Sequence, residues 1–189
     1  MRGIVSREIW RRERPAIGWR AIYRELKRFE FRGEVRRGYF VRGLSGAQFA
    51  LPEAVEMLRA ENSTVEENAV VITASDPANV FTLPMPQDPA RDAFVRPRTR
   101  GALLIAVRGS VVMMAERRGE RVSIRPGTTA EDVTRAARAL SEHLLARTTK
   151  DFVVETIDGV PASGSAWLDA FAAAGFRRGT VGLRYYRTV

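Results

Sequence analysis

A chain of 189 residues, 45% hydrophobic and 28% charged, is long enough for one ordinary domain or two small ones and apolar enough to bury a core, which separates it from disordered sequences. It has no Cys and a single His, His143, which excludes a disulfide framework, a Cys-based metal site and a His pair for zinc or a triad. Of its formal charge of +9 nearly all sits in the first quarter, where residues 1–42 set thirteen Lys/Arg against five Glu, a net of +8.

Charge so concentrated is the electrostatic footprint of a polyanion partner, most often nucleic acid and less often an anionic membrane surface. A plainer alternative is an Arg-rich composition, since every cation except Lys27 and Lys150 is Arg, but residues 60–189 are almost balanced. The opening "MRGIVSREIWRRERP" lacks the apolar run of a signal peptide, and nowhere do about 18 apolar residues run together. A cytoplasmic chain without a membrane partner is the expectation.

In chain order, "IVSREIWRRERP" predicts a first helix ended by Pro15. "GWRAIYRELKRFEFRGE" predicts a second, ended by Gly33. At about 100° per residue, Trp19, Ile22, Tyr23, Leu26 and Phe29 gather on one arc, and Arg20, Arg24, Lys27 and Arg28 gather nearly opposite, interrupted by Glu25. "EVRRGYFVRG" then predicts a hairpin, with strands at 34–36 and 39–42 about a turn at Arg37-Gly38. A helix followed at once by a small basic wing is the second half of a winged helix, the helix-turn-helix variant that lays its helix in the major groove and its wing on phosphate. The competing reading is a basic, solvated surface helix packed on its neighbour. The candidate nucleic-acid contacts are Arg20, Arg24, Lys27, Arg28, Arg32, Arg36, Arg37 and Arg42, with Gln48 in the loop that follows.

That loop belongs to "VRGLSGAQFALPEAVEMLR". Gln48 reads mainly as a hydrogen-bonding fastener of it, and contact with nucleic acid is its second role. Pro52 suits a first helical turn, and Leu51, Ala54, Val55, Met57 and Leu58 form an apolar face. The polar, acidic "RAENSTVEENA" reads as a linker, which places a winged-helix segment at 1–60, a linker at 61–68 and a second domain at 69–189.

The second domain alternates strands and helices. "AVVIT", "GALLIAVRG" and "SVVMMAERRGERVSI" predict an antiparallel meander with turns at Arg108-Gly109 and Arg118-Gly119. "GTTAEDVTRAARALSEHLLAR" predicts a helix with a Thr128/Glu131 capping box and a core stripe of Val133, Ala136, Ala137, Leu140, Leu144 and Leu145. His143 lies beside that stripe and reads as structural. "DFVVETIDG" predicts a strand, "SAWLDAFAAAGF" a short helix capped by Ser163 or Ser165, and "VGLRYYRTV" a closing strand. The predicted class is α+β: a winged-helix segment followed by a mainly antiparallel, barrel-like domain.

Nucleotide chemistry leaves no motif. No phosphate-binding G-x-x-x-x-G-K-[ST] loop occurs, so an ATPase is excluded from this segment. Two carboxylates are weak catalytic candidates, Asp76 in "TASDPANVF" and Asp158 in "ETIDGVPASGS". Each sits where an Asx or hairpin turn explains it, and either could assist departure of a base by stabilising positive charge or orienting water.

Three segments in one order carry a resemblance: "WRAIYRELKRFEFRGEVRRGYFVRGLSGAQFALPEAVEMLR", "VVITASDPANV" and "VETIDGVPASGSAWLDAFAAAGFRR". Together they resemble the C-terminal region of the large helicase-related (Lhr) family of superfamily 2 helicases, over nearly the whole chain and most weakly at 85–127. The resemblance implies the last of a row of winged helices, entered short of its first helix, followed by a β-rich barrel-like domain. Full-length members are ATP-dependent helicases acting on DNA or RNA:DNA hybrids and connected with DNA repair. Their motor, with its ATP and Mg, is absent here, so no cofactor or metal is expected in this segment. The implied partners are duplex or single-stranded DNA, an RNA:DNA hybrid, a helicase motor in cis or as a separate chain, and further copies of the chain. The family's C-terminal region is also similar to DNA glycosylases for alkylated bases, and some members are credited with uracil excision, although "GLRYYRTV" offers no acid to match a catalytic one. Two functions follow: a DNA-binding C-terminal module, or a DNA glycosylase.

Overall fold

The computed structural model describes residues 3–12, 15–61, 69–76, 79, 81, 94, 101–146 and 151–186. The chain divides into two compact units, Met1–Val65 with Leu83–Pro89, and Glu66–Thr82 with Ala90–Val189.

In the first unit the order is β1 (Ile4–Val5), α1 (Arg7–Arg12), α2 (Trp19–Phe31), β2 (Arg36–Gly38), β3 (Gln48–Ala50) and α3 (Pro52–Glu61). The three strands form an antiparallel sheet with β3 at its centre, Phe49 facing Val5 on one side and Arg37 on the other. Two helices followed by a strand pair is the winged-helix pattern. Leu26 is the fully inward residue of α2, and Tyr23 meets the buried Phe49 edge-on with ring centroids 5.7 Å apart. A second apolar cluster joins Ile9 of α1 to Leu44 and Val41 of the loop after β2. The helix α2 stops as its Gly predicts. Gly33 takes φ +76°, Gly33 N–H donates to Glu30 O and Glu34 N–H to Phe29 O, so the last carbonyls are satisfied by a chain that reverses direction through a left-handed residue.

The wing is longer than the predicted hairpin. No turn forms at Arg37-Gly38: both residues lie inside β2, paired with Phe49 and Gln48, and the chain reverses later, through 39–47. Gly38 is needed for room and not for a turn, because a Cβ there would lie 2.9 Å from the Phe40 ring. The real turns use Gly43 and Gly46, both at positive φ. On α3, Val55 is buried as predicted, whereas Met57, and Leu51 just before the helix, are exposed. The predicted linker lies outside the described residues from 62 to 68.

The second unit contains β4 (Ala69–Thr73), β5 (Leu103–Val107), β6 (Ser110–Glu116), β7 (Arg121–Ile124), α4 (Ala130–Leu145), β8 (Phe152–Val154), β9 (Thr156–Ile157), β10 (Val160–Pro161), α5 (Leu168–Ala173), β11 (Arg177–Arg178) and β12 (Leu183–Tyr185). The predicted meander is present, β4 to β7 pairing in sequence with Arg108, Gly109, Arg118 and Gly119 all at positive φ. One face of this sheet is covered by α4 through Val133, Ala136, Ala137 and Leu140 and by Phe171 of α5, and the other carries Ala102, Leu104, Ala106 and Val111. Hence all five residues of β5 are buried.

Three details differ from the sequence expectation. The sheet is open and not a closed barrel: among the described residues six strands run β10-β9-β7-β6-β5-β4, and β11-β12-β8 form a separate sheet. The strand predicted at "DFVVETIDG" breaks at Glu155, because Glu155 N–H and Thr156 N–H both donate to Glu120 O; β8 joins one sheet, and β9 pairs in parallel with β7 in the other. The cap of α4 is Thr129, whose Oγ1 accepts from Asp132 N–H at 3.2 Å, while Thr128 Oγ1 donates to Arg125 O. The short helix α5 has no side-chain cap; Ser165 Oγ accepts instead from Trp167 N–H. The class remains α+β and mainly antiparallel. No described helix is long and apolar enough to cross a membrane.

Candidate nucleic-acid interface

The apolar and cationic arcs of α2 are both present. Trp19, Ile22, Tyr23 and Phe29 are partly buried and Leu26 is buried, while Arg20, Arg24, Lys27 and Arg28 are exposed. A packed inner arc fixes the helix, so its outer arc presents the cations at defined positions. Arg20, Arg24 and Lys27, at i, i+4 and i+7, form one stripe.

The eight candidate cations fall into two groups. Arg28 pairs with Glu25, Arg32 with Glu34, Arg36 with Glu56 and Arg37 with Glu30, all on the surface. Arg20, Arg24, Lys27 and Arg42 are exposed and have no ion pair with a described residue. Two aromatic side chains of the same unit also stand in solvent, Phe31 at 95% and Tyr39 at 88% exposure. At the start of α2, Trp19, Arg20, Tyr23 and Arg24 line an open hollow of about 580 Å³.

The predicted contact at Gln48 is corrected by its burial. The side chain is 0% exposed. Its Oε1 accepts from Phe40 N–H at 2.9 Å and Val41 N–H at 2.8 Å, and its Nε2 donates to Val41 O at 2.9 Å and Leu44 O at 3.2 Å. All of its bonding capacity is spent on the wing loop, the fastening role read from the sequence.

Glu8 fastens the same loop from α1, a contact that the sequence pattern does not signal. Its carboxylate accepts from Ser45 N–H at 3.2 Å and from the Ser45 hydroxyl. Partial burial acts to raise its pKa, but the bonds from Ser45 and Ser6 and from main-chain N–H groups outweigh it and hold the carboxyl below its ordinary value.

Residues 2–70 match the family model for the winged-helix domain of the large helicase-related protein. Over 179 residues, 88% of this chain, the sequence is 35% identical to a Mycolicibacterium smegmatis protein named Lhr helicase/probable uracil glycosylase. Over 187 residues, 96% of the chain, it is 27% identical to the Escherichia coli protein named Lhr helicase/uracil glycosylase. The chain is an Lhr-family C-terminal region. It spans about 12% of the length of either of these curated relatives. The cationic helix and wing therefore lie inside the Lhr winged helix itself.

The two catalytic candidates of this Lhr chain fall in its second unit, both in turns. Asp158 and Gly159 take φ +52° and +79° in the β9–β10 hairpin. Asp158 accepts from Ile124 N–H through Oδ1 at 2.7 Å and from the Trp167 indole N–H through Oδ2 at 3.0 Å, so both oxygens are engaged in holding strand and helix ends. Asp76 lies in a turn closed by Asp76 N–H to Thr73 O and Asn79 N–H to Asp76 O, beside the buried Asn79. Sequence reasoning missed a cleft of about 670 Å³ whose lining includes Arg118, Glu120, His143, Asp151 and Glu155. Asp151 and Glu155 flank β8, but Glu120 comes from the segment before β7, some thirty residues earlier, so no local spacing in the sequence signals the group. Among the described residues no three His, Asp or Glu are placed to hold a metal ion.

Proposed function

We propose that this Lhr region is a nucleic-acid-holding module without a motor of its own, serving a longer helicase engaged in DNA repair. The observation that carries the reading is the exposed stripe of Arg20, Arg24 and Lys27 on the helix preceding the wing of a winged-helix domain. Phosphate contacts by Arg and Lys supply sequence-independent affinity, and Arg42 of the wing loop extends the footprint. Anisotropy of labelled DNA is expected to show binding that weakens steeply with salt through counterion release, and the triple variant Arg20→Ala, Arg24→Ala, Lys27→Ala is expected to lose most of it. Salt-insensitive binding would sink the reading.

A second reading is excision of uracil or an alkylated base. It is supported by the printed names of the two relatives and by the carboxylate-bearing cleft at Glu120, Asp151 and Glu155. A carboxylate there could orient water or stabilise the cationic sugar as the base departs. Incubation with uracil-containing DNA followed by alkali decides it: strand cleavage no greater than with a mock purification removes the enzyme reading.

A further inference from the structure

We infer that α2 takes an unpaired strand of nucleic acid and that Phe31 is a stacking platform for one of its bases. This rests on the nucleic-acid reading above and narrows it to a substrate class. Phe31 does not belong to the apolar arc of its helix. At about 100° per residue it falls within roughly 40° of Arg20, Arg24 and Lys27, so a 95% exposed phenyl ring continues the cationic stripe at its C-terminal end. It stands on the last turn of a 13-residue helix.

The chemistry of the ring decides what it can meet. A phenyl group has no donor or acceptor, so it cannot read the hydrogen-bonding edges that a duplex shows in its major groove, nor pair with phosphate. Its π face complements the face of a base, and an unpaired, unstacked base offers that face without the cost of opening a duplex step. The other end of the helix repeats the combination. There the Trp19 and Tyr23 rings, 5.9 Å apart, line the open hollow together with Arg20 and Arg24. Trp19 and Phe31 are separated by about 18 Å of helix rise and by roughly 120° around the helix axis, so the Trp19–Tyr23 edge flanks the cationic stripe at one end and Phe31 continues it at the other. Aromatic stations joined by a positive track are how proteins hold single strands without reading their sequence.

The test compares wild type and Phe31→Ala on three fluorescent probes: a single-stranded oligonucleotide, a duplex with a single-stranded tail, and a blunt duplex. The variant is expected to bind the first two about 5 to 150 times more weakly, the range that one stacked base supplies. Its affinity for the blunt duplex should change less than about twofold, with the slope against salt preserved because no charge is removed, and Phe31→Trp should restore binding. Equal weakening on all three probes, or none on any, overturns the inference and leaves the module reading standing. Unchanged DNA binding with loss of self-association in sedimentation also overturns it, in favour of a second copy as the occupant. Wild type that binds none of the probes overturns both readings together.

Discussion

One amide at Gln48 answers four main-chain groups, two N–H donors and two carbonyls, in a loop that has no ladder of its own. A buried group stripped of its partner costs about 1–3 kcal/mol, and Gln48→Ala strips four groups at once. The variant is expected to lose on the order of 3 kcal/mol or more, seen as a lower melting midpoint. Gln48→Glu keeps the two acceptor bonds but turns a carboxylate oxygen toward the Val41 and Leu44 carbonyls in a buried site, so its midpoint should also fall below that of wild type. The loop-fastening role was legible in the sequence, from a lone amide among small residues. Its burial was not, because that depends on β3 occupying the centre of its sheet. Asp158 divides the same way: Asp-Gly after a strand announces a turn, but the bond from Ile124 N–H, 34 residues earlier, leaves no local trace.

At the scale of elements, the wing is held by α1 through Glu8 and Ser45 as well as by its own strands. The sign of the pH effect follows from the lowered carboxyl pKa. The carboxylate binds its proton less readily when folded than when unfolded, so its contribution is present above the unfolded value of about 4.3 and is lost as pH falls through the lower folded value. Wild type is therefore expected to be more stable than Glu8→Gln at neutral pH, with the difference shrinking toward zero below about pH 4; a constant gap across that range would contradict the assignment. Element type was the most legible level, since hydrophobic periodicity marks α2 and α4 and β-branched runs mark β4 to β6. Boundaries failed where two adjacent residues offer the same chemistry. Thr128 and Thr129 can both cap, and Gly38 can serve either as a turn or as space for Phe40. The break at Glu155 depends on the Glu120 carbonyl, 35 residues earlier, and no local pattern records it.

For the whole molecule, the +8 of residues 1–42 overstates the charge that is available. Four of the eight candidate cations already face a glutamate, and surface pairs of this kind are individually weak but must exchange partners before phosphate can replace the acid. If the four cations without an ion pair among the described residues carry the contact, the logarithm of affinity should fall with the logarithm of salt at a slope of about −3 to −4. Participation of all eight would give a slope of about −6 to −7. Replacing Glu25 and Glu30 by Gln is expected to move the measured slope toward the steeper value. The concentration of charge was visible in composition, whereas most of its internal neutralisation, all but the Arg28–Glu25 pair within α2, required side chains brought together by the turn at Gly33 and by the packing of α3. Closure of the sheet was misjudged for a related reason: a meander fixes neighbours along the chain, and only the separate pairing of β8 with β12 reveals that the large sheet keeps two edges.

The amide at Gln48 has one further consequence, which concerns entropy. A nine-residue loop free to sample many shapes would have to be ordered when a ligand arrives, at a cost that subtracts directly from affinity. Here that ordering has been accomplished during folding by a buried side chain, so on the proposed reading Arg42 is presented to nucleic acid at no further expense. Mutations at this buried amide should therefore slow or weaken capture of nucleic acid even at temperatures where the unit remains folded.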